Sequence, residues 1–519
     1  MQPSDADVKP AGIPQLSLPQ SAGPIHWLAL ALVLLAGVSL RFHCLACKPF
    51  WFDEAFSVEI GRIGWKDFFH LLWWREANMS LYYLLLRGWL HVGQSPFTIR
   101  ALSVVISAGA LAAIYWLAHS LYDRRVALVA TALLAVNAFD IRYAQEARSY
   151  SLFVLLATLS SGFLIAFLKD PTRRNRTAYI CFSVLAVYAH FYALLLVAAH
   201  WLGFRWGGVP GTISDESRTN IARQLRRCWI AIGISVLPLL VFVAKTGAGP
   251  LKWIQRPGPS QFADFVTYAC DGLPLVYAAA CLLALLPLRK NVPFRRSDWP
   301  SWRLHFLAIW LLFPIALTVL LSFARPVFLP RYMIFCLPAL LILTAVGLTS
   351  LRTTWLSAAV VGAVLLLSAH YVPFVYSHDF DDERDASGAA TDFILDHSAP
   401  GDGVIFHIAA TRVPYEFFRS LRARKNTASP SFTGQLGPEI LFPRHGAGLD
   451  YRDFTGKPTA DFVREAAATH SRIWLMLMNN GPTGEPDPTT RMLTQTLPKA
   501  FPKMQQWNFA RVEVRLYSK

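Results

Sequence analysis

Residues 25–40 read Ile-His-Trp-Leu-Ala-Leu-Ala-Leu-Val-Leu-Leu-Ala-Gly-Val-Ser-Leu, a run without a formal charge. A stretch this apolar is long enough to cross a bilayer as a helix, and it starts too far from Met1 for an ordinary signal peptide. Similar runs recur at 99–120, 125–140, 148–168, 228–245, 264–288, 303–323, 332–349 and 355–375, with a longer one at 178–204. Composition agrees. Of 519 residues, 54% are apolar and only 16% charged, against about a quarter charged in soluble domains. The mean hydropathy is +0.36. These values exclude a disordered chain, a collagen, a coiled coil and a disulfide-rich secreted scaffold. Lys and Arg number 49 against 33 Asp and Glu, a net charge of +16. The basic residues punctuate apolar runs instead of lining one face, so they read as topology signals and not as a nucleic-acid surface. The chain reads as a polytopic membrane protein.

The 178–204 stretch sets the number of crossings. Basic clusters lie at Arg124-Arg125, at Lys169, Arg173, Arg174 and Arg176, at Arg218, Arg223, Arg226 and Arg227, and at Arg289, Lys290, Arg295 and Arg296. A single crossing by 178–204 leaves the last two clusters outside, against the positive-inside rule. A hairpin turning near Tyr188-Ala189-His190 puts all of them in the cytoplasm. Each arm then measures about 20 Å, short of the ~30 Å hydrocarbon core, which suits short helices lining a cavity. The hairpin gives about eleven crossings. It makes residues 1–24, polar and rich in Pro and Ser, a disordered cytoplasmic tail, and residues 25–377 the membrane domain. Segments 45–98, 141–147, 246–262 and 324–331 fall outside, with everything from His378 on. In that tail (378–519), Ile473-Trp474-Leu475-Met476-Leu477-Met478 reads as a core strand and Ala510–Leu516 alternates like a half-buried one. The expectation is a mostly α membrane helix bundle with a C-terminal extracytoplasmic α/β domain. The seven cysteines form no framework. A disulfide between Cys44 and Cys47 is open to the chain, but so small a loop gains little from closure, and the plainer reading without one is taken.

Chemistry concentrates in the first outer loop. Pro49-Phe50-Trp51-Phe52-Asp53-Glu54-Ala55-Phe56 sets two carboxylates among aromatics, and two short amphipathic stretches follow, about Trp65–Trp74 and Leu81–Trp89. Carboxylates at that depth are costly unless used or paired. A desolvated Asp53 suits proton abstraction from a hydroxyl, while the plainer reading makes it a helix cap with Glu54 in solvent. A second group, Asp140-Ile141-Arg142-Tyr143-Ala144-Gln145-Glu146-Ala147-Arg148-Ser149-Tyr150, fills a very short loop on the same face. Arg148 suits phosphate oxygens, and Gln145 and Glu146 suit sugar hydroxyls; the plainer reading is an interfacial belt. Lys252, Arg256, Arg325 and Arg331 add outer cations against the usual charge bias, as a lipid-phosphate headgroup requires. His190, at the hairpin turn, can join them. The acidic run at 379–385 lacks the ligand spacing of a calcium loop and reads as a solvated juxtamembrane segment. The sequence contains no phosphate-binding Walker loop, no H-E-x-x-H zinc helix and no Gly-x-Ser-x-Gly elbow.

Taken in order, Phe52-Asp53-Glu54, Leu81-Tyr82-Tyr83-Leu84-Leu85-Leu86-Arg87, Ile99-Arg100-Ala101-Leu102-Ser103, Tyr143–Tyr150 and Arg331-Tyr332 before Leu337-Pro338 resemble membrane glycosyltransferases of the GT-C fold. The branch most like it is the bacterial dolichyl-phosphate-mannose-protein mannosyltransferase-like group, with the lipid A aminoarabinose transferase. The likeness covers roughly 25–350. It implies transfer of a hexosyl or pentosyl unit, with inversion, from a polyprenyl-phosphate donor to an envelope glycan, lipid or protein outside a bacterial inner membrane. It implies Asp53 as general base, with Glu54 supporting it or orienting the acceptor and Glu146 as a second acid. Arg148, Lys252 and Arg331 hold the carrier phosphate, and Gln145, Tyr82, His190 and Tyr332 complete the substrate contacts. Metal use varies in such families, so a divalent cation is not expected to be obligatory. Two departures border the acceptor side: Glu76-Ala77-Asn78-Met79-Ser80 replaces a proline-rich approach, and Pro96 stands near a usual acidic residue.

Two other classes compete. A flippase or transporter of lipid-linked sugars explains the spans and outer cations but calls for charged or broken helices at mid-membrane. A non-enzymatic scaffold leaves the Asp-Glu pair without a reason.

Overall fold

The computed structural model describes residues 23–211, 214–247, 254, 256–285, 298–351, 353–377, 386–426, 437–443, 456–478 and 486–519. Residues 1–22 of the expected N-terminal tail, the acidic run 379–385 and Lys252 lie outside these.

Helix α1 (Pro24–Phe42) leads into three short helices, α2 (Phe52–Arg62), α3 (Trp65–Trp74) and α4 (Ser80–Trp89). The membrane region continues with α5 (Pro96–Leu121), α6 (Arg124–Val136), α7 (Ala138–Ala144), α8 (Tyr150–Lys169), α9 (Arg173–Ala189) and α10 (Ala193–Gly207). Then come α11 (Asp215–Ser235), α12 (Leu237–Thr246), α13 (Pro259–Ala269), α14 (Pro274–Leu285) and α15 (Trp299–Ala324). A 3₁₀ stretch, Pro330–Cys336, runs into α16 (Leu337–Thr349), and α17 (Thr354–Tyr376) closes the region. Among the described residues, six helices are long and apolar enough to cross a membrane, and nine if each bent pair α6–α7, α11–α12 and α13–α14 counts as one span. The expected eleven also counted the two arms α9 and α10, which are 17 and 15 residues long. The chain is a multi-pass membrane protein.

The hairpin turns where expected. His190 ends α9 in extended backbone, and Asn78 Oδ1 accepts the Phe191 N–H at 3.1 Å. Ser80 donates to the Tyr188 carbonyl at 3.3 Å. The turn is therefore fastened to the 45–98 segment, and both lie at one end of the bundle. The bent pairs have physical causes as well. Pro238 opens α12, and the left-handed pair Asp271-Gly272 separates α13 from α14. Asp271 accepts the Ala138 N–H at 2.8 Å, the Asn137 amide at 3.0 Å and the Tyr277 hydroxyl at 2.8 Å. The carboxylate thus satisfies an N–H freed at the α6–α7 break, and the Asn137 amide also donates to the Ala269 carbonyl at the end of α13, so the two breaks are tied together. Elsewhere the bundle closes on small residues: a Cβ on Gly347 would lie 1.8 Å from the Ala280 carbonyl oxygen, so α14 and α16 meet backbone to backbone.

The C-terminal domain comprises α18 (Ser387–His397), β1 (Gly403–His407), α19 (Arg412–Asn426), β2 (Glu439–Phe442), α20 (Ala460–Thr469), β3 (Arg472–Met478), α21 (Pro488–Ala500), β4 (Lys503–Phe509) and β5 (Val512–Ser518). The sheet runs β2-β1-β3-β5-β4, parallel through β2, β1 and β3 and antiparallel beyond. Both strands expected from sequence are there, as β3 and β5. Ile473, Leu475 and Leu477 face one core with α20 and α21, while Trp474 and Met476 face the other with α18. A strand buried on both faces reads as a continuous apolar run, which is why it was legible.

One expectation is corrected. Cys44 and Cys47 form a disulfide. The turn that follows α1 brings their Cα atoms to 5.0 Å, inside the bridging range.

Candidate active site

Glu54 is the anchor of the segment between α1 and α5. At the third position of α2 its carboxylate reaches back to the Trp51 N–H at 3.4 Å, closing the helix start as a capping box. Arg100 of α5 donates to it twice, at 2.8 and 2.7 Å. The Ala147 N–H adds a fourth bond at 2.9 Å. Glu54 and Arg100 are 0% and 1% exposed. Arg100 also donates to the carbonyls of Leu45, Lys48 and Pro49. The pair therefore pins three segments together: the strand of chain before α2, the start of α5 and the loop before α8.

A second buried pair works beside it. Arg41 lies 2.6 Å from Asp140 and donates to Ser107 and to the carbonyls of Leu134 and Ala135 at the end of α6. Gln145 spends its amide hydrogens on the carbonyls of Arg41 and His43, at 3.0 and 2.7 Å. Its amide is thus a brace between α7 and α1, not a free donor for a sugar.

What remains open is Asp53. It is 23% exposed, and its carboxylate stands 3.5 Å from Arg148, a loose pair. Arg148 also approaches Ser57 Oγ at 3.5 Å, and its charge reaches Tyr83. Tyr83 also lies beside Glu76, whose carboxyl feels the charges of Arg148 and Asp53. Burial pushes the Glu76 carboxyl up to about 7. A protonated Glu76 leaves the local negative charge on Asp53.

Across from this group, His190 is 1% exposed and stacks on Phe153 at 4.9 Å, with Tyr332 edge-on at 4.7 Å. Its Nδ1 accepts the Tyr192 N–H at 3.3 Å, so in the neutral ring Nε2 carries the hydrogen. That buried Nε2 has no partner among the described residues. The charges of Arg148 and Arg331 both reach it. Two cations and an unspent N–H donor converge, which is the chemistry of an anion site.

The nominated residues divide accordingly. Asp53, Arg148, His190, Arg331 and Tyr332 come together. Glu146 is buried beside Tyr82 and Tyr150. Tyr82 is fully buried and its hydroxyl meets Ser103 at 3.0 Å, so it faces α5. Tyr83, next along the helix and so about 100° around, faces the site instead. Sequence reading also missed Glu76 and Arg100. An arginine one turn inside an apolar span has to be paired, and that signal was available for Arg100.

No protein-family model and no curated protein sequence matches the chain. Solved structures do. ArnT from Cupriavidus metallidurans bound to undecaprenyl phosphate superposes with a TM-score of 0.57 at 14% identity, covering 95% of this chain and 98% of that one. The apo form of the same protein gives 0.56 at 14% identity over the same shares. The chain has the GT-C fold. The archaeal oligosaccharyltransferase AglB from Archaeoglobus fulgidus, in complex with an inhibitory peptide and a dolichol-phosphate, shares that fold at a TM-score of 0.50 and 10% identity, over 87% of this chain and 69% of its own. The GT-C likeness to ArnT takes in the C-terminal domain and so extends beyond the 25–350 expected from sequence motifs.

Proposed function

We propose that the protein is an integral membrane glycosyltransferase that moves a sugar from a polyprenyl-phosphate carrier to an acceptor hydroxyl, at the extracytoplasmic face of a bacterial inner membrane. The observation that carries this reading is the division of labour in the Asp-Glu pair: Glu54 is saturated by Arg100, Trp51 and Ala147, while Asp53 stays partly exposed beside Arg148. Asp53 takes the proton of the acceptor hydroxyl. The acceptor oxygen attacks the anomeric carbon opposite the phosphate, and the bond from that carbon to the phosphate oxygen breaks with its electron pair leaving on the phosphate. Inversion follows from this single displacement. Arg148, Arg331 and the His190 Nε2–H stabilise the charge that develops on the leaving group. Arg148 links the two events, because a guanidinium drawn to the phosphate releases the Asp53 carboxylate to act as a base. No second carboxylic acid is required, since the phosphate leaves without protonation. The fold likeness to proteins solved with undecaprenyl phosphate and dolichol-phosphate supports the carrier class.

The test is transfer of label from radiolabelled polyprenyl-phosphate sugars to membrane acceptors. Wild type is expected to incorporate label and Asp53→Asn to lose it. Equal incorporation by both removes Asp53 as the base, and survival of carrier translocation without transfer favours the flippase reading.

A further inference from the structure

Phe417 lies on α19, in the C-terminal domain by sequence, yet it is fully buried in the core of the membrane domain. Its ring stacks on Phe50 with centroids 4.8 Å apart and planes 22° apart. The guanidinium of Arg62, at the end of α2, stands over Phe417 at 5.3 Å. That of Arg100 stands over Phe50 at 5.3 Å. Two cations and two rings thus form one continuous stack across the seam between the domains. Polar contacts follow the same seam: Arg62 donates to Gln94 at 2.8 Å and to Ser420 at 3.4 Å, and Arg424 donates to Gln94.

The stack ends on both halves of the site. Phe50 stands three residues before Asp53. Arg100 clamps Glu54, whose carboxylate also holds the Ala147 N–H, one residue before Arg148. Phe417 takes no part in the two cores that hold the C-terminal sheet together. Its burial is spent on the membrane domain.

We infer that Phe417 is a positioning residue through which the C-terminal domain holds Asp53 and Arg148 in register with each other. A ring that merely fills space between two domains affects docking and nothing further away. A positioning ring alters the order of α2 and of the loop before α8.

The experiment uses full-length protein in lipid nanodiscs and follows amide hydrogen exchange over 50–62 and 145–150. Phe417→Ala is expected to raise exchange in both segments about tenfold while β1 and β3 keep their protection. Phe417→Leu, which keeps bulk but not the ring, carries the same comparison should the alanine variant not fold. Phe417→Tyr is expected to restore the wild-type pattern. Increased exchange confined to 412–426 overturns the inference. Its kinetic consequence rests on the proposed transferase activity: turnover falls about tenfold in Phe417→Ala and returns in Phe417→Tyr. Wild-type protein that transfers nothing overturns the transferase reading, and the exchange pattern still decides the role of Phe417.

Discussion

Replacing Arg100 by Met tests the architecture of the site. Arg100 and Glu54 are 1% and 0% exposed and meet through two bonds of 2.8 and 2.7 Å. Removing the guanidinium leaves a buried carboxylate with only the Trp51 and Ala147 N–H groups, and it strands the carbonyls of Leu45, Lys48 and Pro49. Breaking a buried pair of this kind costs about 3–5 kcal/mol. Glu54→Gln, which keeps the shape and the Ala147 bond, falls at about 3 kcal/mol, because Arg100 retains its carbonyl acceptors. The double variant Arg100→Met, Glu54→Gln buries no unpaired charge, so it recovers part of the loss. Equilibrium unfolding in mixed micelles, arranged as a double-mutant cycle, reads these values directly. Single variants within about 0.5 kcal/mol of wild type, or a double variant equal to the sum of the singles, refute the reasoning.

Other consequences follow from the same geometry. Glu76 is raised from 4.5 to about 7 by burial, so the folded state holds its proton more tightly than the unfolded chain. Its contribution, on the order of 3 kcal/mol, is fully present below pH ~4.5 and lost as pH rises through ~7; unfolding at pH 5 and pH 8 measures the slope, and Glu76→Gln flattens it. Tyr83→Phe removes a hydroxyl beside Arg148 and is expected to slow transfer about tenfold, whereas Tyr82→Phe leaves transfer intact and costs about 1 kcal/mol through its lost bond to Ser103, whose hydroxyl keeps the Arg148 carbonyl as acceptor. His190→Phe keeps the stack on Phe153 but removes the unspent N–H, so carrier retention measured by native mass spectrometry falls about tenfold.

The membrane architecture was legible because hydrocarbon imposes length and charge on each span. The basic clusters fixed the hairpin at His190, and the structure turns there with its freed N–H satisfied by Asn78. Strand β3 was legible from its unbroken apolar run. Pairings distant in sequence were not: Arg100 and Glu54 are separated by 46 positions and Arg41 and Asp140 by 99, and no local pattern joins them. The choice between Tyr82 and Tyr83 depends on how α4 is rotated, which the run Leu81-Tyr82-Tyr83-Leu84-Leu85-Leu86 in so short a helix does not fix. Glu76 stood out from sequence only as a departure from a proline-rich segment. Its place beside Tyr83 and Arg148 arises from the turn between α3 and α4, a feature set by packing.

The measurement that tests the account most directly separates binding from chemistry in one preparation. Wild type and Asp53→Asn are reconstituted in nanodiscs, carrier retention is read by native mass spectrometry, and sugar release from the same labelled carrier is followed in time. The account predicts that Asp53→Asn retains the carrier as well as wild type and releases at most about one part in a hundred of the sugar. Release at the wild-type rate from a variant that binds normally contradicts it.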